Sequence, residues 1–310
     1  METPENIPKK VRKRRYIPNL AAAHFKPTED WTNSEAEREY KEAKFPFEVD
    51  KIIYEDCVER MRKLPSDSVD VIVADPPFGL SFTGKESIYN RDDRYVTEGY
   101  QEAEGDYEEF SYRWVKELPR IMKSSGSAWI FSGWTHIGSL LNAVKRTDLT
   151  LVNHIIWKYQ FGVFTERKFV TSHYHILFLV KDKKKYYFNK IQHYPLDVWM
   201  IGRNYQPGQL KNGTKLPEKV VMNCIDFASR PGYLVLDPFM GNGTTACVAK
   251  GSYRHYLGFE INIGMQRVIE ANVNSVKVGE LYKPYGDRPD ELVERAKRRY
   301  ADKIGQTELL

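Results

Sequence analysis

The fold of this chain is decided by the stretch Leu234-Val235-Leu236-Asp237-Pro238-Phe239-Met240-Gly241-Asn242-Gly243-Thr244-Thr245. Its apolar start predicts a buried strand, its glycines predict a tight turn, and its threonines predict the start of a helix. In an open α/β sheet, a strand that runs through such a turn into a helix binds a nucleotide-like ligand at its carboxyl end. The stretch therefore predicts an α/β fold with a ligand site at this turn.

The glycine turn differs from the common phosphate-binding turns. Ala246 stands where a G-x-G-x-x-G motif has its last glycine, and no Gly-Lys-Ser/Thr sequence follows, as a P-loop requires. Gly241 and Gly243 allow the backbone to approach a ligand closely. Asp237 flanks the turn where a phosphate site would have a lysine, so a cationic or neutral ligand is favoured. S-adenosylmethionine, which carries an ammonium and a sulfonium group, is such a ligand.

A ribose-binding acid is expected at the end of the next strand, about 20 residues further on. Glu260 directly follows the predicted strand 255–259 and meets this expectation. A simpler interpretation is that Glu260 is an ordinary acidic residue at the end of a strand, without a ligand. Glu260 is therefore a candidate ligand of the ribose hydroxyls.

A second motif, Asp75-Pro76-Pro77-Phe78, closes the apolar strand 69–74. Two consecutive prolines fix φ and remove two N–H donors, so the carbonyl groups there point outward without a local partner. Asp75 adds an acceptor and Phe78 adds a flat apolar face, which together suit a planar base with an exocyclic NH2 group. Taken alone, the tetrapeptide is better explained by a strand that ends in a proline-rich turn with a core phenylalanine. The functional interpretation of the tetrapeptide is favoured only in combination with the glycine turn.

Predicted strands alternate with predicted helices along most of the chain, which favours an open, mostly parallel sheet. Residues 151–158 and 173–180 form two strands without a clear helix between them, and predict an antiparallel hairpin at a sheet edge. With 310 residues and 41% apolar content, the chain is large enough to bury a substantial core. We divide it into an N-terminal arm and helix (1–48), a main domain (49–280) and a C-terminal helical extension (281–310).

The composition argues against several other classes of protein. Cys57, Cys224 and Cys247 are far apart and form no CxxC pair, so neither a disulfide framework nor a zinc site is indicated. The histidines also lack a spacing that demands a metal, and we expect none. No apolar run approaches the ~20 residues that span a membrane, and the charged N-terminus is unlike a signal peptide. We therefore expect a cytoplasmic protein without membrane contact.

In order and content, the two motifs resemble those of the β-class amino-methylating DNA methyltransferases. In that family an Asp-Pro-Pro-Tyr/Phe catalytic motif precedes a Phe-x-Gly-x-Gly cofactor motif, as residues 75–78 precede residues 239–243 here. The lead-in at residues 55–57 and 64–70 is similar to the family as well. The resemblance implies a Rossmann-like S-adenosylmethionine-dependent methyltransferase fold, with a mostly parallel twisted sheet and a small target-recognition insertion.

The resemblance also implies catalytic roles for the tetrapeptide. Asp75 and the carbonyl group of Pro76 would accept hydrogen bonds from the target amine. Pro77 would complete the rigid turn, and Phe78 would stack on a base that has been flipped out of the duplex. No covalent intermediate is needed, so a catalytic cysteine is not expected.

Eight further residues would bind the cofactor by the same resemblance. They lie in the glycine turn and at the ends of neighbouring elements: Asp56, Lys219, Asp237, Phe239, Gly241, Gly243, Thr244 and Glu260. Asp56 would face the adenine of the cofactor and Glu260 its ribose. The family commonly has His-Pro-Thr-x-Lys-Pro before the glycine turn, whereas this chain has Gly-Thr-Lys-Leu-Pro-Glu-Lys at 213–219. Lys219 therefore matches the family pattern only in part.

Duplex DNA is the partner that the resemblance implies. Sequence recognition is expected in the irregular region 159–214, and the loop 79–106 is expected to close over the substrate. The candidate DNA-binding residues have side chains that read base edges, contact phosphate or stack: Tyr89, Arg91, Arg94, Arg167, Lys168, Arg203 and Asn204. The net charge of +5 is modest, but basic residues cluster in 9–15, 181–185 and 295–299. Such clusters are equally compatible with binding of the phosphate backbone and with ordinary exposed surface.

The implied reaction is direct methyl transfer to adenine N6, by a site-specific enzyme of a restriction–modification system. Cytosine N4 methylation is the closest alternative, although family members that act on cytosine usually have Ser in place of Asp75. Methylation of RNA or of a protein amide usually goes with Asn-Pro-Pro-Tyr and the reverse motif order. A catalytically silent DNA-binding subunit is an alternative of another class. A cognate restriction endonuclease and a homodimer are compatible with this interpretation.

Overall fold

The computed structural model describes residues 22, 24–77, 106–160, 162, 165–203, 215–290, 293–294 and 296–298. In this part of the chain, the strands are β1 (Lys51–Ile53), β2 (Val69–Ala74), β3 (Met122–Ser132), β4 (Thr150–Lys158), β5 (His173–Val180), β6 (Val198–Met200), β7 (Leu234–Asp237) and β8 (His255–Phe259). The helices are α1 (Asn33–Glu42), α2 (Cys57–Lys63), α3 (Tyr107–Val115), α4 (Leu118–Ile121), α5 (Ile137–Lys145), α6 (Glu218–Ala228), α7 (Thr244–Gly251) and α8 (Gln266–Ser275).

The strands form one sheet in the order β1-β8-β7-β2-β3-β5-β4-β6. Every pairing from β1 to β3 is parallel, so the carboxyl ends of these five strands lie at one edge. All six residues of β2 are buried, because a parallel sheet is covered on both faces. The predicted fold class, an α/β fold with a mostly parallel sheet, is confirmed.

The predicted hairpin is also present, since β5 pairs antiparallel with both β3 and β4. It is not the outermost part of the sheet. Strand β6 pairs in parallel with β4 and adds one further strand. The segment 181–214 was expected to lack regular structure, and this expectation is wrong at the three residues of β6, which are too few to give a periodic signal.

Two helical layers enclose the sheet. Helices α6, α7 and α8 pack on one face, where their apolar side chains meet Trp129 and Trp157. Helices α2 to α5 pack on the other face, around Trp114 and Leu177. Trp129 and Trp157 are each only 1% exposed. The three-layer arrangement leaves the carboxyl edge of the parallel strands as the place for a site.

The N-terminal and C-terminal segments contact each other beside α6. The backbone N–H of Tyr285 donates to Asp30 at 2.6 Å, and the Tyr282 hydroxyl donates to the carbonyl of Trp31 at 2.9 Å. Helix α1 begins with a capping box made by Thr32 and Glu35. The proposed boundaries at 48 and 281 stay predictions. Among the described residues, no helix has both the length and the apolar character that crossing a bilayer requires.

Candidate active site at the carboxyl ends of β2 and β7

The two motifs lie side by side at the carboxyl edge of the sheet. Strands β2 and β7 are parallel neighbours, with Ile72 opposite Leu236. Asp237 is the last residue of β7, and Asp75 directly follows Ala74, the last residue of β2. The topology therefore brings the Asp-Pro-Pro turn and the glycine turn together, as a parallel sheet can do only at neighbouring strand ends.

Asp75 presents a buried acceptor at this edge. Its Oδ1 atom is buried and has no hydrogen-bond partner among the described residues. The pKa of Asp75 is raised to about 7, chiefly by burial and also by the nearby Asp237, whereas the positive charge of Arg203 acts in the opposite direction. A buried oxygen without a partner is costly for a folded protein, and such costs concentrate at functional sites.

Asp237 has the opposite arrangement, because its carboxylate is already bonded. Its Oδ1 accepts a hydrogen bond from the backbone N–H of Phe239 at 2.9 Å. The pKa of Asp237 is raised to about 7, chiefly by burial; the hydroxyl of Thr245 and the Phe239 N–H act against this rise, and the charge of Glu260 adds to it. Hydrogen bonds thus orient Asp237 within the turn, while Asp75 lacks such a bond at Oδ1.

The glycine turn has the geometry that its residue types predict. Gly241 has φ +55° and Gly243 has φ +80°, both in the left-handed region that favours glycine. A Cβ at Gly241 would have no closer neighbour than the carbonyl oxygen of Phe239, at 3.8 Å, so this position faces open space. Gly243 caps α7, and Thr244 is the first residue of that helix. The turn therefore exposes backbone to a ligand at Gly241.

Glu260 connects the ends of β7 and β8. It follows the last residue of β8, as predicted. One carboxylate oxygen accepts from the N–H of Gly241 at 2.8 Å and the other accepts from the N–H of Asn262 at 2.9 Å. Burial raises the pKa of Glu260, and these backbone donors moderate the rise. The carboxylate therefore fixes the glycine turn in addition to any contact with a ligand.

Tyr54 is a candidate that the sequence interpretation missed. Ile53 lies opposite Phe259 in the parallel pair β1–β8, so Tyr54 and Glu260 follow at neighbouring strand ends. The Tyr54 hydroxyl is buried without a hydrogen-bond partner among the described residues. Burial raises its pKa, and the charges of Glu270 and Glu260 add to the rise. Its place at the end of the short apolar run 52–54 was the available signal.

The other predicted cofactor residues lie in different surroundings. Phe239 packs edge-on against Trp114 of α3, with ring centroids 5.2 Å apart. Asp56 caps α2, where its Oδ1 accepts from the N–H groups of Val58 and Glu59. Lys219 lies on α6, where burial lowers its pKa and the charge of Asp226 acts against that shift. Cofactor contacts of these residues stay predictions.

The predicted DNA-binding residues fall into three groups. Arg167 and Lys168 are exposed in the connection between β4 and β5, next to Phe169, whose side chain is 99% exposed. An exposed phenylalanine directly after two basic residues suits contact with bases, and the sequence interpretation did not single it out. Arg203 is partly buried instead, and aromatic rings surround it. The remaining predicted residues lie outside the described part of the chain: Phe78, Tyr89, Arg91, Arg94 and Asn204.

This edge of the sheet suits the cationic ligand proposed from the sequence. Open space at Gly241 provides room, and the carboxylates of Asp237 and Glu260 flank the turn. The donor set is acidic rather than basic, which favours a ligand with an ammonium and a sulfonium group over a phosphate. The residues present therefore fit S-adenosylmethionine.

Comparison with known proteins gives an independent view of the chain. The model of a family described as DNA methylase, of the N6/N4 type, matches residues 69–271. Type II methyltransferase M.HinfI of Haemophilus influenzae is 30% identical over 254 residues, which cover 73% of this chain and 71% of that protein. DNA adenine methyltransferase YhdJ of Escherichia coli (strain K12) is 28% identical over 251 residues, or 71% of this chain and 81% of that protein.

Solved structures show the same fold at lower sequence identity. The complex of M1.HpyAVI with SAM has a TM-score of 0.55 and 20% identity, and covers 72% of this chain and 99% of that chain. The cytosine-N4-specific PvuII DNA methyltransferase has a TM-score of 0.56 and 15% identity, over 83% of this chain and 96% of that chain.

Proposed function

This chain belongs to the N6/N4 DNA methylase family, and on that premise we propose that it methylates adenine N6 in duplex DNA. The family is dependent on S-adenosylmethionine, which is the methyl donor. The observation that carries the proposal is the Asp75 carboxyl: a buried oxygen without a described hydrogen-bond partner, beside the glycine turn. That oxygen is an acceptor for one hydrogen of an exocyclic amine.

The chemical difficulty lies in the amine. The lone pair of an aromatic NH2 group is delocalised into the ring, so the nitrogen is a poor nucleophile. Hydrogen bonds from its two hydrogens to Asp75 and to the carbonyl of Pro76 favour a pyramidal nitrogen with a directed lone pair. Catalysis by these residues is then orientation and electrostatic stabilisation, without a covalent intermediate.

The cofactor is held next to this acceptor pair. When bound, S-adenosylmethionine supplies a methyl group on a positively charged sulfur. The Gly241–Gly243 turn and Thr244 would hold its methionine part, with Phe239 and Asp237 nearby. Glu260 would bind the ribose hydroxyls, and Asp56 would face the adenine. Because Glu260 also bonds to Gly241, ribose recognition and the shape of the turn are linked.

The target base must leave the duplex before Asp75 can reach its amine. Base flipping costs a few kcal/mol, and stacking on an aromatic side chain recovers about 1–3 kcal/mol. Phe78 has this role in the proposal. Arg167, Lys168 and Phe169 contact the DNA beside the site, since they are exposed at the end of the β4–β5 hairpin near the catalytic edge.

Adenine is favoured over cytosine as the acceptor. The leading residue of the catalytic motif is Asp75 rather than the Ser that the resemblance associates with cytosine, and YhdJ is an adenine methyltransferase by name. Cytosine N4 methylation is the second candidate, because PvuII methyltransferase has the same fold and acts on cytosine N4. Both acceptors are exocyclic amines, so the same hydrogen-bond acceptors serve either reaction.

Nucleoside analysis distinguishes these activities. The purified chain is incubated with unmethylated bacterial DNA and isotopically labelled S-adenosylmethionine, and the DNA is then digested to nucleosides. We expect label in N6-methyladenine. Label in N4-methylcytosine would replace the adenine assignment, and absence of label with retained DNA binding would support the catalytically silent subunit. Asp75→Ala should abolish transfer while cofactor affinity, measured by calorimetry, stays close to that of the unaltered chain.

The biological setting is part of the proposal. A type II relative supports a site-specific enzyme of a restriction–modification system with a cognate endonuclease. A DNA substrate favours the cytoplasmic location predicted from the sequence. A homodimer is the proposed assembly, and analytical ultracentrifugation tests it directly.

A further inference from the structure

Arg203 lies within a cage of three aromatic rings. Its guanidinium carbon is 4.3 Å from the ring centre of Tyr159, 5.1 Å from that of Tyr174 and 5.5 Å from that of Trp157. Aromatic faces attract a cation through their quadrupole. They hold the guanidinium without cancelling its positive charge, as a carboxylate would.

The cage is part of the rigid core. Trp157 of β4 lies opposite Tyr174 of β5, and their rings stack with centroids 5.4 Å apart. The chain leading to Arg203 is attached to β4 by two hydrogen bonds. The indole N–H of Trp157 donates to the carbonyl of Ile201 at 2.8 Å, and the N–H of Ile201 donates to the carbonyl of Lys158 at 3.1 Å. The hydrogen bonds at Ile201 and the three aromatic rings therefore restrict the position of the Arg203 guanidinium group.

The cage lies at the catalytic edge of the sheet. Strand β5 runs antiparallel to β3, so its first residues, including Tyr174, lie at the edge where β2 ends and Asp75 follows. The charge of Arg203 acts on the Asp75 carboxyl from this position. An arginine that reads base edges would need its donors exposed to DNA, whereas Arg203 Nε is buried.

We propose that Arg203 is a positioning residue for Asp75, whose caged positive charge keeps the Asp75 carboxylate ionised and able to accept a hydrogen bond from the target amine. The inference rests on the proposed function, because it assigns Asp75 to the amine. It replaces the base-reading role that the sequence suggested for Arg203.

The other charges near Asp75 explain why a cation is needed. Asp237, on β7, disfavours a second negative charge, and burial of Asp75 has the same effect. Glu260, at the end of β8, acts on Asp237 in turn. From the other strands, Arg203 faces this cluster, and the phenol rings of Tyr159 and Tyr174 pack against its guanidinium group. Arg203 is the group that lowers the pKa of the Asp75 carboxyl.

The first test is the pH dependence of single-turnover methyl transfer in three variants. Arg203→Met removes the charge and Arg203→Lys keeps it. Arg146→Met is a matched control, since Arg146 also stacks on a tyrosine, Tyr112, but on the outer side of α5. We expect the acid limb of Arg203→Met to move to higher pH by at least half a unit. For a half-unit shift its rate should fall about threefold at pH 6.5 and recover by pH 9, while the other two variants follow the unaltered enzyme.

A second test does not depend on activity. Loss of the Arg203 charge makes ionisation of Asp75 less favourable in the folded protein. Arg203→Met should therefore lose more thermal stability between pH 5 and pH 8 than the unaltered chain. In an Asp75→Asn background the same substitution should have an equal effect at both pH values. Arg203→Gln serves in place of Arg203→Met if the latter does not fold.

Three results would overturn the inference. If Arg203→Met left the acid limb unchanged but reduced the DNA sequence specificity, Arg203 would be a residue that contacts bases. An equal loss of rate at every pH would make Arg203 a structural residue. If Arg203→Met changed thermal stability with the same pH dependence in the Asp75 and Asp75→Asn proteins, the charge of Arg203 would not act on Asp75. Failure of the proposed function is distinguishable, because it would be seen as absence of methyl transfer by the unaltered chain while the stability test still reports on the Arg203–Asp75 coupling.

Discussion

Glu260 and Gly241 are joined by a hydrogen bond of 2.8 Å, from the backbone N–H of the glycine to the carboxylate at the end of the neighbouring strand. Gly241 adopts φ +55°, so this bond stabilises a backbone conformation that the turn must hold before any ligand arrives. The second carboxylate oxygen accepts from Asn262 in the same way. A single side chain therefore fixes the backbone of the glycine turn and of the segment that follows β8.

Glu260→Gln should weaken cofactor binding without unfolding the protein. The amide of glutamine keeps one acceptor but places an NH2 group towards a backbone donor. Hydrogen bonds to a charged group contribute about 1.5–3 kcal/mol, so we expect the dissociation constant to rise roughly 10- to 100-fold in calorimetric titration. Glu37→Gln is the control, because Glu37 forms an exposed ion pair with Lys41 and such pairs contribute little. An unchanged affinity of Glu260→Gln would remove Glu260 from the cofactor site.

Asp75→Asn should stabilise the cofactor-free protein at pH 8. The pKa of Asp75 is about 7 in the folded protein and about 3.9 in an unfolded chain, so between these values the folded state binds the additional proton. Stability therefore falls as the pH rises through this window, and substitution with a neutral side chain removes the loss. We expect the unfolding temperature to rise by several degrees at pH 8 and to change little at pH 5.

Thermal unfolding followed by calorimetry at both pH values measures this effect. Asp148→Asn is the control, since Asp148 is exposed. A lower unfolding temperature for Asp75→Asn at pH 8 would contradict the raised pKa. Stabilisation together with loss of methyl transfer would identify Asp75 as a residue whose charge serves activity at the expense of stability.

The main features of the site were predictable because they depend on local patterns. Strand β2, strand β7 and the turn at Gly241 each leave a signal in consecutive residues, and a parallel sheet then brings the strand ends together. The position of Arg203 could not be predicted, because its cage consists of rings from β4, β5 and the chain after β4 that meet only in the folded protein.

Two smaller differences have the same origin. Ser34 is also of a residue type that caps helices, but Thr32 is the cap of α1 because Glu35 completes a capping box with it. The Tyr54 hydroxyl is buried by the neighbouring ends of β1 and β8, which no spacing in the sequence reveals. Short-range chemistry selects an element, whereas burial of a particular polar atom depends on the packing of several elements.

Asp226→Ala should destabilise the protein strongly. Asp226 is 1% exposed and forms an ion pair with Arg254, which is fully buried, at 3.8 Å. It also pairs with Arg288 and accepts from the Tyr285 hydroxyl at 3.2 Å, so it connects α6 to the C-terminal segment. Removing one partner of a buried pair leaves the other charge uncompensated, which costs about 3–5 kcal/mol.

Denaturation in urea measures the loss, and limited proteolysis shows whether residues 282–288 become accessible. The double variant Asp226→Ala, Arg254→Met should be less destabilised than Asp226→Ala alone, because no unpaired buried cation remains. If the double variant is the less stable of the two, the packing of Arg254 and its bonds to Ser229 outweigh its charge.

Gly241→Ala should reduce cofactor affinity more than it reduces stability. A Cβ at Gly241 meets no atom closer than 3.8 Å, so the substitution causes no clash within the protein, and its cost is the left-handed backbone conformation, roughly 1 kcal/mol. The methyl group points into the space assigned to the cofactor. We expect calorimetry to show a loss of affinity of at least tenfold, with only a small decrease in the free energy of unfolding.

Gly138→Ala is the matched control for this substitution. Gly138 is the second residue of α5, and a Cβ there meets nothing within 4 Å. Alanine is favoured over glycine in a helix by about 0.5–1 kcal/mol, so Gly138→Ala should not lower stability and should leave cofactor affinity unchanged. Equal cofactor affinity in the two alanine variants would show that the open space at Gly241 does not receive the ligand. Loss of affinity confined to Gly241→Ala would place the cofactor against the glycine turn.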